Sequence, residues 1–340
     1  MQNFQSNSRQ SRYKSLVALC LVMLCSAMAH AGEYRDMIEL PAVMVTAARQ
    51  GLTLDIAQAG DRLVAVGARG HVLLSEDAGQ SWTQAQVDTR AQLNAVTFVD
   101  ADHGWAVGED AVIVHTVDGG QTWQRQHDGR DADMKGPLLD VWFQDAATGF
   151  AIGVFNKIFK TTDGGATWVD WYDHVDNIDE WHLFAIAGSN DGAIYITSEA
   201  GLVFRSTDGG DNFAPVQTDH YGSFHGILVS TAAGGRDRVI LTGVGGILYA
   251  TTDGGETWAE LDSGTEAGLS GASWLPDGSA AVVGYGGVLL HIDPTLHTVT
   301  QHPQENGLPL SSIISLGQQG QLVLTGFGGP QTIDAPWRAN

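Results

Sequence analysis

The sequence predicts an all-β fold, a seven-bladed β-propeller built from four-stranded antiparallel blades. Three observations carry this. A short box, S/T-x-D-x-G-x-(S/T/N)-aromatic, occurs five times, at 75–82, 116–123, 161–168, 206–213 and 251–258. The box aspartates Asp77, Asp118, Asp163, Asp208 and Asp253 stand 41, 45, 45 and 45 residues apart, a period of the size that marks repeat architectures. Around each box lie short runs of Val, Ile, Thr and aromatic residues bounded by Gly and Asp, the pattern of strands joined by tight turns.

Residues 1–31 read as a secretory signal peptide. Arg9, Arg12 and Lys14 form a basic start, Leu16 to Cys25 an apolar stretch too short to span a bilayer, and Ala29-His30-Ala31 a small-x-small cleavage site. Both cysteines, Cys20 and Cys25, fall inside this segment. Residues 32–340, read as one propeller domain, therefore hold no disulfide and no thiolate metal site. Loss of the three basic residues leaves 14 Lys and Arg against 39 Asp and Glu, a net charge of −25. Such a charge repels nucleic acid and anionic lipid.

Glu39 to Thr46 is apolar and β-branched and precedes the first repeat. It is expected to supply the outer strand of the last blade and so close the ring. Each unit then runs through an opening apolar run such as Leu93–Val99, a second such as Gly104–Gly108, a turn, and a third such as Ala111–His115 that leads into the box. The residues around and after the box aromatic form the fourth. Two decayed copies keep the period: Asp293 follows Ala281–Ile292, and Asp334 follows Leu322–Gly329. They raise the count to seven blades.

The box itself reads as scaffold. Its Asp and Gly (Asp77 and Gly79, Asp118 and Gly120, Asp163 and Gly165, Asp208 and Gly210, Asp253 and Gly255) belong to the turn between third and fourth strands. There the carboxylate accepts backbone N–H groups of its own turn and glycine adopts positive φ. Trp82, Trp123, Trp168, Phe213 and Trp258 point inward, each indole N–H needing a partner. The alternating oxygen ligands of a calcium loop are missing.

With these boxes, the turns Val66-Gly67-Ala68-Arg69-Gly70, Gly243-Val244-Gly245-Gly246 and Gly284-Tyr285-Gly286-Gly287, the export signal and the count of seven, the chain resembles the Asp-box (bacterial neuraminidase repeat) propellers. Within them it is most similar to the photosystem II assembly and stability factor family and its bacterial relatives. The resemblance implies a periplasmic or lumenal, non-catalytic scaffold that binds a membrane or envelope protein complex, such as a transporter or a photosystem, during its assembly. It implies a monomer without cofactor or metal, peripheral to the membrane at most.

The alternative reading is an Asp-box glycosidase. The Phe-Arg-Ile-Pro start of sialidases is missing, since Phe204-Arg205 leads into Ser206-Thr207, and arginines are sparse. A two-carboxylate mechanism finds abundant acids but no distinguished pair. No catalytic residue is assigned, and no histidine group shows metal-ligand spacing.

Function is expected where blades depart from the repeat, on the face opposite the boxes. Three loops stand out: 128–137, 171–182 and 219–225. The partner-binding candidates are Trp171, Tyr172, His174, Trp181, His182, His220, Tyr221 and His225, with Arg69 and Lys157 from the turns between second and third strands. Those turns also place Glu109, Asp110, Asn156, Glu199, Tyr285 and Phe327 on this face.

Overall fold

The computed structural model describes residues 35–130, 136–189, 192–231, 235–317 and 320–338. The signal segment and part of loop 128–137 lie outside them. The chain divides into a short unit, Met1–Asp36, and a compact unit, Met37–Asn340. The compact unit is the seven-bladed propeller.

Blade 1 comprises β1 (Thr53–Ala59), β2 (Arg62–Gly67), β3 (Val72–Ser75) and β4 (Thr83–Gln84). After β5 (Gln86–Val87), blade 2 has β6 (Leu93–Phe98), β7 (Gly104–Gly108), β8 (Ile113–Thr116) and β9 (Thr122–His127). Blade 3 is β10 (Leu138–Phe143), β11 (Gly149–Gly153), β12 (Ile158–Thr161) and β13 (Val169–Asp170); blade 4 is β14 (Leu183–Gly188), β15 (Ile194–Ser198), β16 (Leu202–Ser206) and β17 (Ala214–Gln217). Blade 5 is β18 (Phe224–Thr231), β19 (Asp237–Gly243), β20 (Leu248–Thr251) and β21 (Ala259–Glu260). Blade 6 is β22 (Leu269–Trp274), β23 (Ala280–Gly284), β24 (Leu289–Ile292) and β25 (Val299–Gln301). Blade 7 is β26 (Leu310–Leu316), β27 (Gln321–Gly326) and β28 (Gln331–Asp334).

Strand pairing within every blade is antiparallel among the described residues; β5 pairs parallel, adding to the outer edge of blade 2 through β9. First strands of successive blades pack against one another around the ring, β26 against β1 included. Apolar residues from adjacent blades fill the space between them. Trp105, Val107 and Ile113 of blade 2, for example, share one cluster with Leu138, Val141, Phe143 and Phe159 of blade 3. The alternation of strand side chains thus buries one set against each neighbouring blade, as a radial array requires.

The ring closes on the N-terminal part of the chain, but not by the strand expected from Glu39–Thr46. Those residues pair with no strand of blade 7. They cross the outer edge of blades 1 and 2, where Ala42 donates its N–H to Val87 O, the Gln84 amide exchanges bonds with Val43 O and Val45 N, and Arg125 donates to Ile38 O. Two facts explain the choice. Pro41 has no N–H to give a ladder, and Ile38 and Ala42 find an apolar seat beside Val64, Leu74, Val87 and Trp123. Closure falls instead to the 3₁₀ turn Thr46–Gln50, whose Ala48 packs with Ile56, Leu63, Trp82 and Val323. Thr53 Oγ1 and Gly326 N–H add a hydrogen bond of 3.2 Å across the seam.

Blade 7 therefore keeps three strands. Its third strand, β28, is half-buried to exposed, whereas its counterparts β3, β12 and β20 are wholly buried. Deleting residues 37–46 is expected to lower stability by roughly 2 kcal/mol, chiefly the burial of Ile38. Thermal unfolding of the truncated protein checks this, and an unchanged midpoint would remove the segment from the stabilising contacts.

Candidate binding face at the channel mouth

The five boxes fold alike. In the first, Ser75 Oγ donates to Asp77 Oδ1 at 2.9 Å, Ser81 N–H to the same oxygen at 2.8 Å and Ser81 Oγ to Oδ2 at 2.6 Å, while Gly79 N–H donates to Ser75 Oγ. The other four repeat this set. These bonds, led by the Ser81 hydroxyl, hold the Asp77 carboxyl down at about 2. The indoles of Trp82 and Trp123 donate to the carbonyls of Gly79 and Gly120 in their own boxes. Those of Trp168 and Trp258 find no partner among the described residues. A carboxylate this fully occupied by its own turn is a staple rather than a reagent.

The boxes mark one end of the propeller. Gly119 N–H bonds Asp102 O and Gly164 N–H bonds Ala147 O, tying box turns to the first hairpin turns of the blades. At the opposite end the second-to-third-strand turns of blades 1, 2, 3, 6 and 7 bond the chain just before their first strands, as in Glu109 N–H to Gln92 O and Tyr285 N–H to Gly268 O.

At that opposite end every first strand carries a β-bulge at its second residue. The bulged residues are Leu54, Asn94, Leu139, Phe184, His225, Ser270 and Ser311. All seven line one funnel of about 350 Å³, the mouth of the central channel, together with Val244 and Tyr285 from the rim. A bulge re-aims a side chain out of the alternating pattern, and here it does so once per blade. Asn94 Nδ2 donates to Leu138 O at 2.9 Å and Ser270 Oγ to Leu310 O at 2.8 Å, so two of the seven also tie adjacent blades.

Just below, Asp55 and Asp140 stitch blades in the same manner. Asp55 Oδ2 accepts Val96 N–H at 2.9 Å, and Asp140 Oδ2 accepts Ile186 N–H at 2.8 Å. Burial raises both carboxyls despite these bonds, and Asp140, with the charge of Asp55 adding, is pushed up to about 7.

The rim turns use two successive residues at positive φ in most blades. Where the next loop crosses closely glycine is required: a Cβ at Gly246 would run into the Thr265 carbonyl oxygen. Blade 3 instead places Phe155 and Asn156 there, both at φ 56°. A bulky aromatic in the left-handed region carries strain, and Phe155 is 63% exposed, so its own fold gains little from it. From Phe155 a row of rings leads inward. Phe155 lies 4.7 Å from His182, His182 lies 6.1 Å from Phe184, and Phe184 lies 4.4 Å from His225 at the funnel. His182 is held by Glu199, Nδ1 to Oε1 2.7 Å. Although His225 is exposed by surface area, the desolvating walls of the funnel hold its imidazole below the ordinary range.

The sequence candidates divide accordingly. His182 and His225 sit on this row, and Trp181 beside it, its carbonyl accepting Asn156 N–H. Tyr221 stands 88% exposed at the junction of blades 4 and 5. Tyr172 donates its hydroxyl to Glu180 at 2.9 Å at the outer rim. Trp171 and His174 depart from the group: they stack at 3.6 Å, the indole donating to Gly210 O and the imidazole bonding Asp211 O, which fixes both to the box of blade 4. His220 packs against Phe224 and Tyr249 with Nε2 buried, a spacer between blades. Arg69 is exposed on blade 1, and Lys157 follows Phe155 and Asn156 in the blade 3 turn. Phe155, and every residue of the bulge ring except His225, were not among the candidates. The signal for the ring is positional, the second residue of each first strand, which follows Leu or Phe in blades 2–7 and Thr53 in blade 1.

Among the described residues no group of His, Cys, Asp and Glu is placed to hold a metal ion. No helix of those residues is long and apolar enough to cross a membrane.

Fold and boxes together define an Asp-box β-propeller. A family model described as photosynthesis system II assembly factor YCF48 matches residues 74–135 and 128–317, and the chain belongs to that family. The photosystem II assembly protein Ycf48 of Thermosynechococcus vestitus is 44% identical over 43 residues, 13% of this chain and 12% of the relative. Among solved structures, YCF48 bound to a D1 peptide aligns with a TM-score of 0.67 at 19% identity, covering 88% of this chain and 97% of that one. YCF48 from Cyanidioschyzon merolae aligns with a TM-score of 0.67 at 18% identity over 88% and 99%. The WD40 propeller domain of Doa1 reaches 0.61 at 14% identity over 86% and 95%, a likeness of fold.

Proposed function

We propose that this chain is an exported, non-catalytic scaffold that holds a segment of a membrane or envelope protein while that protein is assembled. Residues 1–31 direct its export, and the mature propeller works in the periplasm or lumen. The observation that carries the reading is the exposed aromatic row from Phe155 to His225 at the channel mouth. Exposed aromatics on strained or irregular positions are favoured contact residues, and Glu199, the carboxylate against this row, is occupied by His182. Family membership supports the same reading, as does the D1 peptide bound by the structural relative.

Affinity capture from detergent-solubilised membranes tests it. The wild-type protein is expected to retain a membrane protein, and Phe155→Ala/Tyr221→Ala/His225→Ala to lose it. All three side chains are exposed, so the melting temperature should stay within about 1–2 °C. Equal capture by the variant would overturn the reading.

A further inference from the structure

The binding face is not uniform in charge, and the difference selects the occupant. One end of the aromatic row adjoins the end of loop 173–180, which carries Asp179 and Glu180; Asp173 and Asp176 lie farther out, where the loop meets Asp211 and Phe213 of blade 4. This loop is fixed to the Phe155–Asn156 turn: Asn156 N–H bonds Trp181 O at 3.1 Å, and Asn177 Nδ2 bonds Asn156 Oδ1 and Trp181 O, both at 2.9 Å. All four acids are exposed and none forms an ion pair among the described residues. Ile178, between them, is 90% exposed.

The other end is apolar. At the first position of the rim turn, blades 5, 6 and 7 present Val244, Tyr285 and Phe327, where blades 2 and 4 present Glu109 and Glu199. Val244, Tyr285 and Phe327 are 44%, 57% and 52% exposed. The Tyr285 ring lies over Gly268, within 3.4 Å of where a Cβ would stand, and it walls the funnel with His225. The face therefore runs from carboxylates that form no ion pair among the described residues, along a row of rings 4.4–6.1 Å apart, to a mouth rimmed by Val244, Tyr285 and Phe327.

We propose that this track takes an extended peptide with lysine or arginine residues at one end and large apolar residues at the other. The basic residues lie over loop 173–180, and the apolar end enters the funnel between Phe184, His225 and Tyr285. Complementary charge is what fixes the direction. Four exposed acids in eight residues attract a cationic segment and repel an acidic one, while cations also settle over aromatic faces such as Phe155. The apolar end gains from desolvation in a preformed concave site. The proposal rests on the scaffold reading above.

Fluorescence anisotropy with three labelled ten-residue peptides tests it on the mature protein. One has two lysines ahead of alternating Leu and Phe, one replaces the lysines by glutamates, and one replaces the apolar residues by Ser. The basic-apolar peptide is expected to bind, and the other two to bind at least tenfold more weakly. Asp173→Asn/Asp176→Asn/Asp179→Asn/Glu180→Gln is expected to weaken the first peptide about tenfold, from several exposed pairs of modest worth each. Phe184→Ala should weaken it with its salt dependence unchanged, and a matching melting curve shows that the variant is folded. Equal binding of the lysine and glutamate peptides, or no effect of the four-residue variant, would overturn the proposal. Membrane-protein capture that survives either result would leave the scaffold reading standing and remove only the choice of a basic-apolar segment.

Discussion

Trp105→Ala is expected to destabilise the propeller by about 3–5 kcal/mol, the range for deleting a fully buried aromatic. Trp105 has no exposed surface. It lies on β7, in the hydrophobic layer between blades 2 and 3, with its ring 3.6 Å from that of Phe143 and nearly parallel to it, and 4.8 Å from that of His115. Its indole N–H donates to Gly164 O in the box of blade 3 at 3.2 Å. Truncation therefore opens a cavity between blades and removes a bond that positions the neighbouring box turn. Trp105→Phe keeps the stacking and loses the N–H, so its cost should fall nearer 1–2 kcal/mol. For a domain of this size the alanine variant should melt about 10 °C lower. Denaturant unfolding of the three proteins checks both values. Equal midpoints for Phe and Ala at position 105 would show that the hydrogen bond, not the packing, does the work there.

The scaffold was legible because its chemistry is local and repeated. A box Asp answers to Ser or Thr two residues before it and to Ser, Thr or Asn four after it, so spacing alone reveals the turn. Blade count and period follow from the same residues, even where Asp293 and Asp334 have lost their boxes. The closing element was less legible. An apolar, β-branched segment such as Glu39–Thr46 suits any open edge, and which edge it takes depends on an apolar seat that forms only when blades 1 and 2 meet. The channel mouth was least legible. Its bulge ring is conserved in geometry and not in residue type, since Leu54, Asn94, Leu139, Phe184, His225, Ser270 and Ser311 share no chemistry. Loop irregularity did point to His182, Tyr221 and His225. It also drew in Trp171 and His174, whose aromatic character serves the box of blade 4 through Gly210 O and Asp211 O. An aromatic in a loop is ambiguous until its polar atoms are followed to their partners.

The contribution of Asp140 to stability should be lost as pH rises from about 4 to 7, and Asp140→Asn should remove that loss. The Asp140 carboxyl is pushed up to about 7 in the folded chain, against 3.8 for an ordinary aspartate, by burial, with the charge of Asp55 adding. Between those two values the folded protein holds a proton that the unfolded chain has released. Unfolding then sheds protons, and raising the pH favours it. Below pH 4 both states are protonated, and above pH 7 both are ionised, so the loss is confined to the interval and constant beyond it. A shift of this size corresponds to at most about 4 kcal/mol. Asp55, raised in the same direction, adds to the slope. Box aspartates act elsewhere: Asp77, Asp253 and Asp293 are held at about 2, so their contribution is lost below pH 4. His71, His115, His225 and His291, all lowered by desolvation, add stability as pH rises through the upper part of the interval, equally in wild type and variant, so the difference between the two proteins isolates Asp140. Asparagine at 140 keeps an oxygen for Ile186 N–H and carries no proton to release. It leaves Val141 N–H, which now donates to Asp140 Oδ1 at 2.8 Å, short of an acceptor, a cost independent of pH. The variant is therefore expected to be the less stable protein near pH 4 and the equal or more stable one at pH 8. Urea midpoints at both pH values decide it, and parallel shifts of wild type and variant would mean that Asp140 is ionised throughout. In that case the carboxylate would be a charged clasp between blades 3 and 4 rather than a protonated one.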